Sequence, residues 1–338
     1  MKAASISNNK LVVNNVAPLE LSLRFGAVVK VLGCGLCGSD IVKLREKISP
    51  EGTVLGHEIV AQIVEINSKS NFKVGDIIVT SHHIPCGNCL YCKSGNVSMC
   101  MHFKSTNIIP GGFSELVYLS EEHLLNVAHL KPKNLTNVEA SFYEPLGCCV
   151  RAIKRAQLDN NSQTVVIGLG SIGNIMTQGL KAFGSEVVGL DLIDERVELM
   201  KSKGVDAINS SDIEKTYDYV KTKTDGYGVD AVFMTSGSDR AIDLALKIVR
   251  NGGKIIVFSS TPKNFGYANN EIYYRELTVM GSYSPSPDDL KKSLELLAEN
   301  QVDVKNISTI YQLDEVQKAI EDTVENKIMK AYIEINKV

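Results

Sequence analysis

The sequence lacks three features that mark whole classes of protein. No apolar run approaches the roughly 18 residues of a membrane-spanning helix, and residues 1–16 lack the apolar core of a secretory signal peptide. Positive charge is not in excess, since 36 lysines and arginines face 39 acidic residues and the net charge is −3. Neither a membrane nor nucleic acid is therefore expected as a partner, because phosphate binding needs a basic surface. We expect a cytoplasmic protein whose eight cysteines stay reduced.

What is present favours two globular domains. The chain has 338 residues, of which 44% are hydrophobic and 22% charged, a composition that allows sizeable cores. Up to about residue 147 the pattern is typical of short β-strands separated by glycine and asparagine turns. Strands are predicted at 26–32, 59–66, 76–80 and 114–119. We therefore predict a mainly β domain at the start of the chain.

From residue 148 to 285, strands and helices alternate. Strands are predicted at 164–168, 186–190, 231–234, 254–258 and 278–280, and the first intervening helix at 172–183. This alternation favours a doubly wound parallel sheet, so the predicted fold class is α/β. A helix at 287–299 and a last strand at 330–335 follow, and we expect this tail to return to the first domain.

A glycine-rich turn follows the first strand of the second domain. Gly168, Gly170 and Gly173 fit the pattern G-x-G-x-x-G, and Ser171 and Ile172 open the next helix. Between a strand and a helix this pattern is typical of dinucleotide binding. The glycines permit a tight turn, close approach of a pyrophosphate and packing of helix against strand. The helix N-terminus offers free N–H groups to the phosphates.

Asp191 is predicted to select the cofactor. It ends the second strand, where its carboxylate would accept hydrogen bonds from ribose hydroxyls and repel a 2′-phosphate, so NAD is favoured over NADP. Leu192 and Ile193 offer no cation for that phosphate, and Arg196 lies one helical turn further on, within reach of the ribose. The alternative is a structural glycine turn followed by a solvated acid.

Four cysteines lie within fifteen residues, at Cys86, Cys89, Cys92 and Cys100. Their spacing favours a closed tetrahedral zinc site, in which the metal supplies folding energy that a short loop lacks. An iron–sulfur cluster is disfavoured, because the last spacing departs from the bacterial ferredoxin pattern. A zinc ribbon for nucleic acid is disfavoured because few cations flank the loop.

A second group of residues combines three kinds of metal ligand. Cys37, His57 and Glu58 lie within 22 residues, and Glu144 lies where the β pattern gives way to the alternating one. A thiolate, an imidazole and a carboxylate suit a zinc ion that keeps one position open for substrate. Asp40 is a candidate partner for the second ring nitrogen of His57. Whether Glu58 or Glu144 is the inner carboxylate stays open.

Together the metal and dinucleotide sites indicate alcohol oxidation. Zinc is a Lewis acid that would acidify an alcohol, and the nicotinamide would accept the hydride. Ser39 is placed to take the hydroxyl proton, because a serine hydroxyl both donates and accepts. The other histidines lack ligand spacing and are not expected to bind metal: His82, His83, His102, His123 and His129.

In this order along the chain, the motifs resemble those of the zinc-containing medium-chain dehydrogenases. The resemblance spans nearly the whole chain and is carried by residues 35–40, 56–58, 86–100, 110–115, 144–146 and 168–173. Glu144 stands where simple alcohol dehydrogenases tend to carry cysteine, and so resembles the sorbitol and threonine dehydrogenase branch.

The resemblance implies a dimeric or tetrameric enzyme with two zinc ions per chain. It implies a GroES-like catalytic domain at 1–147 and 286–338 and a Rossmann domain at 148–285. Cys37, His57 and Glu144 would hold the catalytic zinc, with Glu58 as an alternative or outer group, and the four-cysteine lobe would hold the structural zinc. Val42 is a departure, because the family often carries there the histidine that ends the proton relay.

The predicted function is hydride transfer between NAD and a secondary alcohol, a polyol, or a related sugar or amino alcohol. A zinc-independent quinone or enone reductase of the same fold is disfavoured by Cys37 and His57. An NAD(P)-binding sensor without turnover has slight support from Val42. The sequence does not distinguish among the alcohol substrates.

Overall fold

The computed structural model describes residues 1–20, 25–259 and 269–337. Its strands, numbered β1 to β15 in chain order, are Lys2–Ser7, Lys10–Asn15, Gly26–Gly35, Glu58–Asn67, Ile77–Thr80, Leu116–Ser120, His129–Leu130, Gln163–Ile167, Glu186–Asp191, Asp206–Asn209, Val229–Met234, Val249–Val257, Thr278–Gly281, Ser308–Gln312 and Lys330–Glu334.

The α-helices of the described residues are numbered α1 to α13 in the same way. They are Gly38–Arg45, Leu90–Lys93, Met101–Ser105, Glu121–Asn126, Asn137–Ala140, Tyr143–Ala156, Ser171–Ala182, Asp194–Ser202, Ile213–Lys223, Asp239–Ile248, Asn269–Tyr274, Pro287–Ala298 and Val316–Val324. Short 3₁₀ helices lie at Val97–Met99 and Leu313–Glu315. Within the described ranges, no helix is both long and apolar enough to cross a membrane.

The chain forms two compact units. The first comprises residues 1–147, 286–298 and 304–338, and the second comprises 148–285 and 299–303.

The first unit is built on a seven-stranded sheet in the order β14-β15-β3-β4-β5-β7, with β6 also paired to β3. Strand β3 is rich in valine and is buried along almost its whole length, as a strand covered on both faces should be. Its neighbour β4 runs antiparallel, and Gly35 at the end of β3 is paired with Glu58 at the start of β4. On the other side β15 pairs antiparallel with β3. The start of β4 and the last strand of the chain therefore lie beside the segment that leads into α1.

The second unit has a six-stranded sheet in the order β10-β9-β8-β11-β12-β13. All of its strand pairs are parallel. Buried valines and isoleucines form its core, among them Val165, Val232 and Ile255. The doubly wound parallel sheet expected from the alternation of strands and helices is confirmed.

Local differences from the sequence predictions have simple causes. Strand β12 begins at Val249, five residues before the predicted start at 254, because Asn251, Gly252 and Gly253 interrupt the apolar pattern. The β1–β2 hairpin and helix α1 were not predicted. Helix α1 is short and begins with Gly38 and Ser39, so it lacks a clear helical period.

Candidate functional site

The first candidate centre lies where β3, α1 and β4 meet. Cys37 is the residue before α1, and its backbone N–H donates to the Asp40 carboxylate at 3.3 Å, which closes the first turn of the helix. His57 immediately precedes β4, and Glu58 begins it. Because Glu58 is paired with Gly35, Cys37 is brought next to both residues. One ligand atom from each of Cys37, His57 and Glu58 lies within 4.8 Å of the others.

This donor set fits a zinc ion. Sulfur, nitrogen and oxygen donors from three residues are the composition of a zinc site that keeps a position for substrate. Glu58 is 1% exposed, and its Oε1 has no hydrogen-bond partner among the described residues. Buried polar atoms of this kind are rare in folded proteins, and an ion is one of the groups that satisfies them.

Asp40 holds the other side of His57. Its Oδ1 lies 3.5 Å from Nδ1 of the ring, and the carboxylate is fully buried. Burial lowers the pKa of His57, but Asp40 and Cys37 more than offset this and raise the pKa well above its usual value. Contact at Nδ1 leaves Nε2 as the nitrogen that would bind a metal, and metal binding would displace the ring proton.

Lys330 provides a buried cation beside this centre. Its Nζ lies 2.5 Å from Oε2 of Glu58, and both side chains are buried. Burial lowers the pKa of Lys330, but the charges of Glu58, Cys37 and Glu144 outweigh burial and raise it. Lys330 therefore holds one oxygen of Glu58, while the other oxygen, Oε1, has no hydrogen-bond partner among the described residues.

The remaining residues predicted for this centre lie around it. Glu144 is buried at the start of α6, close enough for its charge to act on Lys330, but it is not among the ligand atoms gathered within 4.8 Å. Ser39 is exposed on the first turn of α1. The sequence analysis missed Lys330, which lies 272 residues from Glu58 along the chain. It also missed the contact of His82 with His57, whose ring centroids are 4.5 Å apart.

The four lobe cysteines converge on a second centre. Their sulfur atoms all lie within 4.8 Å of one another. The Cys89–Cys92 and Cys86–Cys92 sulfur distances are 3.6 and 3.9 Å. A tetrahedron with zinc–sulfur bonds of about 2.3 Å has edges of about 3.8 Å, so the observed spacing fits zinc. The lobe has little core of its own, since Leu90 and Met101 are largely exposed.

The glycine turn of the second unit has the shape that its sequence predicts. Gly168 follows β8 with a φ of +94°, a conformation that favours glycine. A Cβ at Gly173 would lie 1.7 Å from the carbonyl oxygen of Gly168, so α7 packs against the turn only with glycine there. At Gly170 a Cβ would meet only Arg196, at 3.9 Å, which leaves the backbone accessible to a ligand. Ser171 begins α7, and Ile172 follows.

Asp191 ends β9 and is held by the same turn. Its Oδ2 accepts the backbone N–H of Leu169 at 2.6 Å, and its Oδ1 accepts that of Ile193 at 2.9 Å. Arg196 lies 3.6 Å from Oδ2. A carboxylate has about four acceptor positions, so capacity for ribose hydroxyls remains. Asp191, Arg196 and the glycine turn therefore lie together, as a dinucleotide site requires.

Comparison with known proteins identifies the family. Residues 25–129 match the alcohol dehydrogenase GroES-like domain, and residues 171–299 match the zinc-binding dehydrogenases. The D-arabitol-phosphate dehydrogenase of Enterococcus avium is 32% identical to this chain, over 91% of this chain and 90% of its own length. The chain belongs to the zinc-binding dehydrogenase family.

Other members of the family show the same likeness. A sorbitol dehydrogenase of Halalkalibacterium halodurans is 33% identical over 86% of each chain. The solved structure of the alcohol dehydrogenase TADH from Thermus sp. ATN1 has a TM-score of 0.85, 25% identity, and coverage of 99% of this chain and 100% of its own. These matches confirm the predicted fold class, a GroES-like domain with a Rossmann sheet, and the resemblance to the zinc-containing polyol dehydrogenases.

Proposed function

We propose that this zinc-binding dehydrogenase transfers a hydride between NAD and a polyol or related secondary alcohol. The observation that carries the proposal is the donor set of Cys37, His57 and Glu58, whose ligand atoms lie within 4.8 Å of one another and include a buried carboxylate oxygen with no hydrogen-bond partner among the described residues. The same chain carries a glycine turn that leaves its backbone accessible at Gly170. Relatives named sorbitol and arabitol-phosphate dehydrogenases support the polyol class.

The side chains of the first unit would prepare the alcohol for oxidation. A zinc ion at this centre would supply Lewis acidity, which makes a substrate hydroxyl more acidic. Asp40, whose Oδ1 lies 3.5 Å from Nδ1 of His57, would orient the ring, and Lys330 pairs with Oε2 of Glu58. Oγ of Ser39 would accept the proton of the substrate hydroxyl and pass it to water or to a ribose hydroxyl. The apolar side chain of Val42 has no group that could carry the proton further along the helix.

In the second unit, the glycine turn would bind the pyrophosphate of NAD at the N-terminus of α7. Asp191 would accept the ribose hydroxyls and disfavour a 2′-phosphate, and Arg196 would order its carboxylate. We further propose that the four-cysteine lobe holds a structural zinc. The two units would serve as catalytic and cofactor-binding domains of a cytoplasmic homodimer or homotetramer.

Measuring the zinc content of two variants would show which glutamate binds the catalytic zinc directly. Glu58 lies with the other ligand atoms, whereas Glu144 is the residue that the family resemblance indicates. In Glu58→Gln and Glu144→Gln variants, metal analysis should show that one of them loses the catalytic zinc while the lobe zinc stays. The variant that loses it names the ligand, and retention of both zinc ions in both variants would remove a carboxylate from the proposed ligand set.

The proposed function is tested with Cys37→Ser in the zinc-loaded full chain. We expect the loss of one of two zinc equivalents and of polyol oxidation, while NADH binding followed by fluorescence persists. Cys148→Ser is the matched control, because Cys148 lies in α6 outside both cysteine centres. Full turnover by Cys37→Ser would refute the proposed role of this centre.

A further inference from the structure

A cavity of about 550 Å³ lies at one edge of the parallel sheet in the second unit. Its walls come from the later part of α9, the end of α10, the loop before β11 and the start of β12. The glycine turn follows β8 and therefore lies at the carboxyl ends of the parallel strands, whereas the cavity lies at their amino ends. Small-molecule sites usually have volumes of about 300–1,000 Å³. The cavity is thus large enough for a ligand and separate from the glycine turn.

Basic side chains dominate the lining of this cavity. Nine residues line it, of which none is acidic and four are basic, namely Lys221, Lys247, Arg250 and Arg275. Lysine and arginine make up 36 of the 338 residues, so nine residues of average composition would include about one. All four are half-buried. In a chain whose net charge is −3, such a concentration of cations favours an anionic ligand.

The acids that pair with these cations lie outside the lining. Lys247 pairs with Glu214, Arg250 with Asp230 at 2.7 Å, and Arg275 with Glu271 at 3.2 Å. Lys221 has no acidic partner in the part of the chain that the structure describes. These pairs cancel part of the positive charge on one side of each side chain and leave Lys221 as the unpaired cation of the cavity.

Several hydrogen-bond donors remain for a ligand. Nζ of Lys221 donates to the carbonyl oxygen of Gly226 and has two further protons. Nε of Arg250 donates to Asp230 and its Nη1 to the carbonyl oxygen of Asn251, but its Nη2 has no hydrogen-bond partner among the described residues. An ammonium and a guanidinium group with spare donors can both bind phosphate oxygens.

Two tyrosines add aromatic surface beside these donors. The ring of Tyr217 lies next to both lysines, with its centroid 5.3 Å from Nζ of Lys221 and 5.0 Å from Nζ of Lys247. Two ammonium groups are thereby held close to the same ring. Tyr227 also lines the cavity, and it is 76% exposed. An exposed ring next to a cluster of cations can stack on a nucleic-acid base while the cations bind its phosphates.

We propose that this cavity binds a nucleoside polyphosphate, whose phosphates contact Lys221, Lys247 and Arg250 and whose base stacks on Tyr227. Several linked phosphates can use the donors of all three cations, and each charge-assisted bond is stronger than a neutral one. Inorganic polyphosphate shares this chemistry but has no base, so the contribution of Tyr227 distinguishes the two. The ligand lies at the opposite edge of the sheet from the proposed NAD site, and its binding does not depend on polyol oxidation.

The test measures ATP binding by calorimetry to the zinc-loaded full chain, saturated with NADH so that the dinucleotide site is filled. We expect one ATP to bind per chain. Lys221→Met should weaken this binding by about 10- to 100-fold, as expected for a lost charge-assisted bond, and Lys221→Arg should keep most of it. Lys215→Met is the matched control, because Lys215 lies on the same helix, is 87% exposed at its side chain and does not line the cavity.

Tyr227→Ala tests whether the ligand is a nucleotide. Loss of a stacking ring should weaken ATP binding by about 10-fold or more, but should leave the affinity for inorganic tripolyphosphate unchanged. Lys221→Met should weaken the binding of both compounds. If tripolyphosphate binds as tightly as ATP and Tyr227→Ala changes neither affinity, the nucleotide assignment is wrong.

Three other results would overturn the cavity site. They are an absence of ATP binding when NADH is present, displacement of bound ATP by NADH, and equal ATP affinities in Lys221→Met and Lys215→Met. Should Lys221→Met not fold, Lys247→Met gives the same comparison, since it loses only a surface pair with Glu214 and should also weaken ATP binding. Each of these results leaves polyol oxidation untouched, because none of them measures turnover.

Discussion

Lys330 and Glu58 form a buried ion pair whose removal should have a large and specific effect. In Lys330→Met, the apolar stem of the side chain is kept, but the Glu58 carboxylate loses its cation in a site where it is 1% exposed. Breaking a buried pair from one side costs about 3–5 kcal/mol, because the remaining charge is desolvated and unpaired. That is a large share of the roughly 5–15 kcal/mol by which a domain is usually stable.

Amide hydrogen exchange is the suitable assay, since two compact units need not unfold in one transition. We expect the opening free energy of β3 and β15, the strands beside the pair, to fall by about 3–5 kcal/mol in Lys330→Met. Lys318→Met, an exposed change in α13 of the same unit, should stay within about 0.5 kcal/mol of the parent chain.

A double variant separates the ion pair from general disruption. Glu58→Gln with Lys330→Met removes both charges, so the combined loss should be smaller than the sum of the single losses. If Lys330→Met opens β3 no more readily than Lys318→Met does, or if the two single losses simply add, the pair does not hold this centre together.

Three further predictions concern the cofactor, the lobe and the proton. Replacing Asp191 with glycine should lower the ratio of kcat/KM for NAD over NADP by about 10- to 100-fold, through lost hydrogen bonds to the ribose, and an unchanged ratio would remove Asp191 from cofactor selection. Cys100→Ser should release one zinc per chain and lower the melting temperature, both measured against Cys148→Ser, and a variant with full zinc content would contradict a metal site in the lobe. Ser39→Ala should lower kcat by about 10²- to 10⁴-fold with both zinc ions retained, so an unaltered kcat would mean that another group takes the proton.

Features encoded over short stretches of sequence were predictable. The spacing of apolar residues and the glycine-rich turn predicted strands β8 and β9 and helix α7, because each element forms from a few neighbouring residues. The cysteine lobe is equally local, since its four sulfur atoms lie within fifteen residues. Such local patterns can be interpreted without knowledge of the tertiary fold.

Features that depend on distant pairing were not predictable. The Lys330–Glu58 pair forms because β15 lies beside β3 and β3 lies beside β4. The residues near Lys330 in the sequence give no indication of a partner 272 residues away. The contact between His82 and His57 likewise depends on how the end of β5 lies next to the start of β4. A single buried lysine or histidine has many structural roles, so only the assembled sheet reveals what each one contacts.

Oxidation of a polyol by NAD should require a zinc ion at the Cys37 centre. The most direct measurement is NADH formation by the purified chain with a polyol and its phosphate ester, before zinc chelation, after it, and after zinc is restored. Activity should disappear on chelation and return with zinc, and Cys37→Ser should lack activity throughout. Equal rates in the zinc-depleted and zinc-restored protein would contradict this requirement.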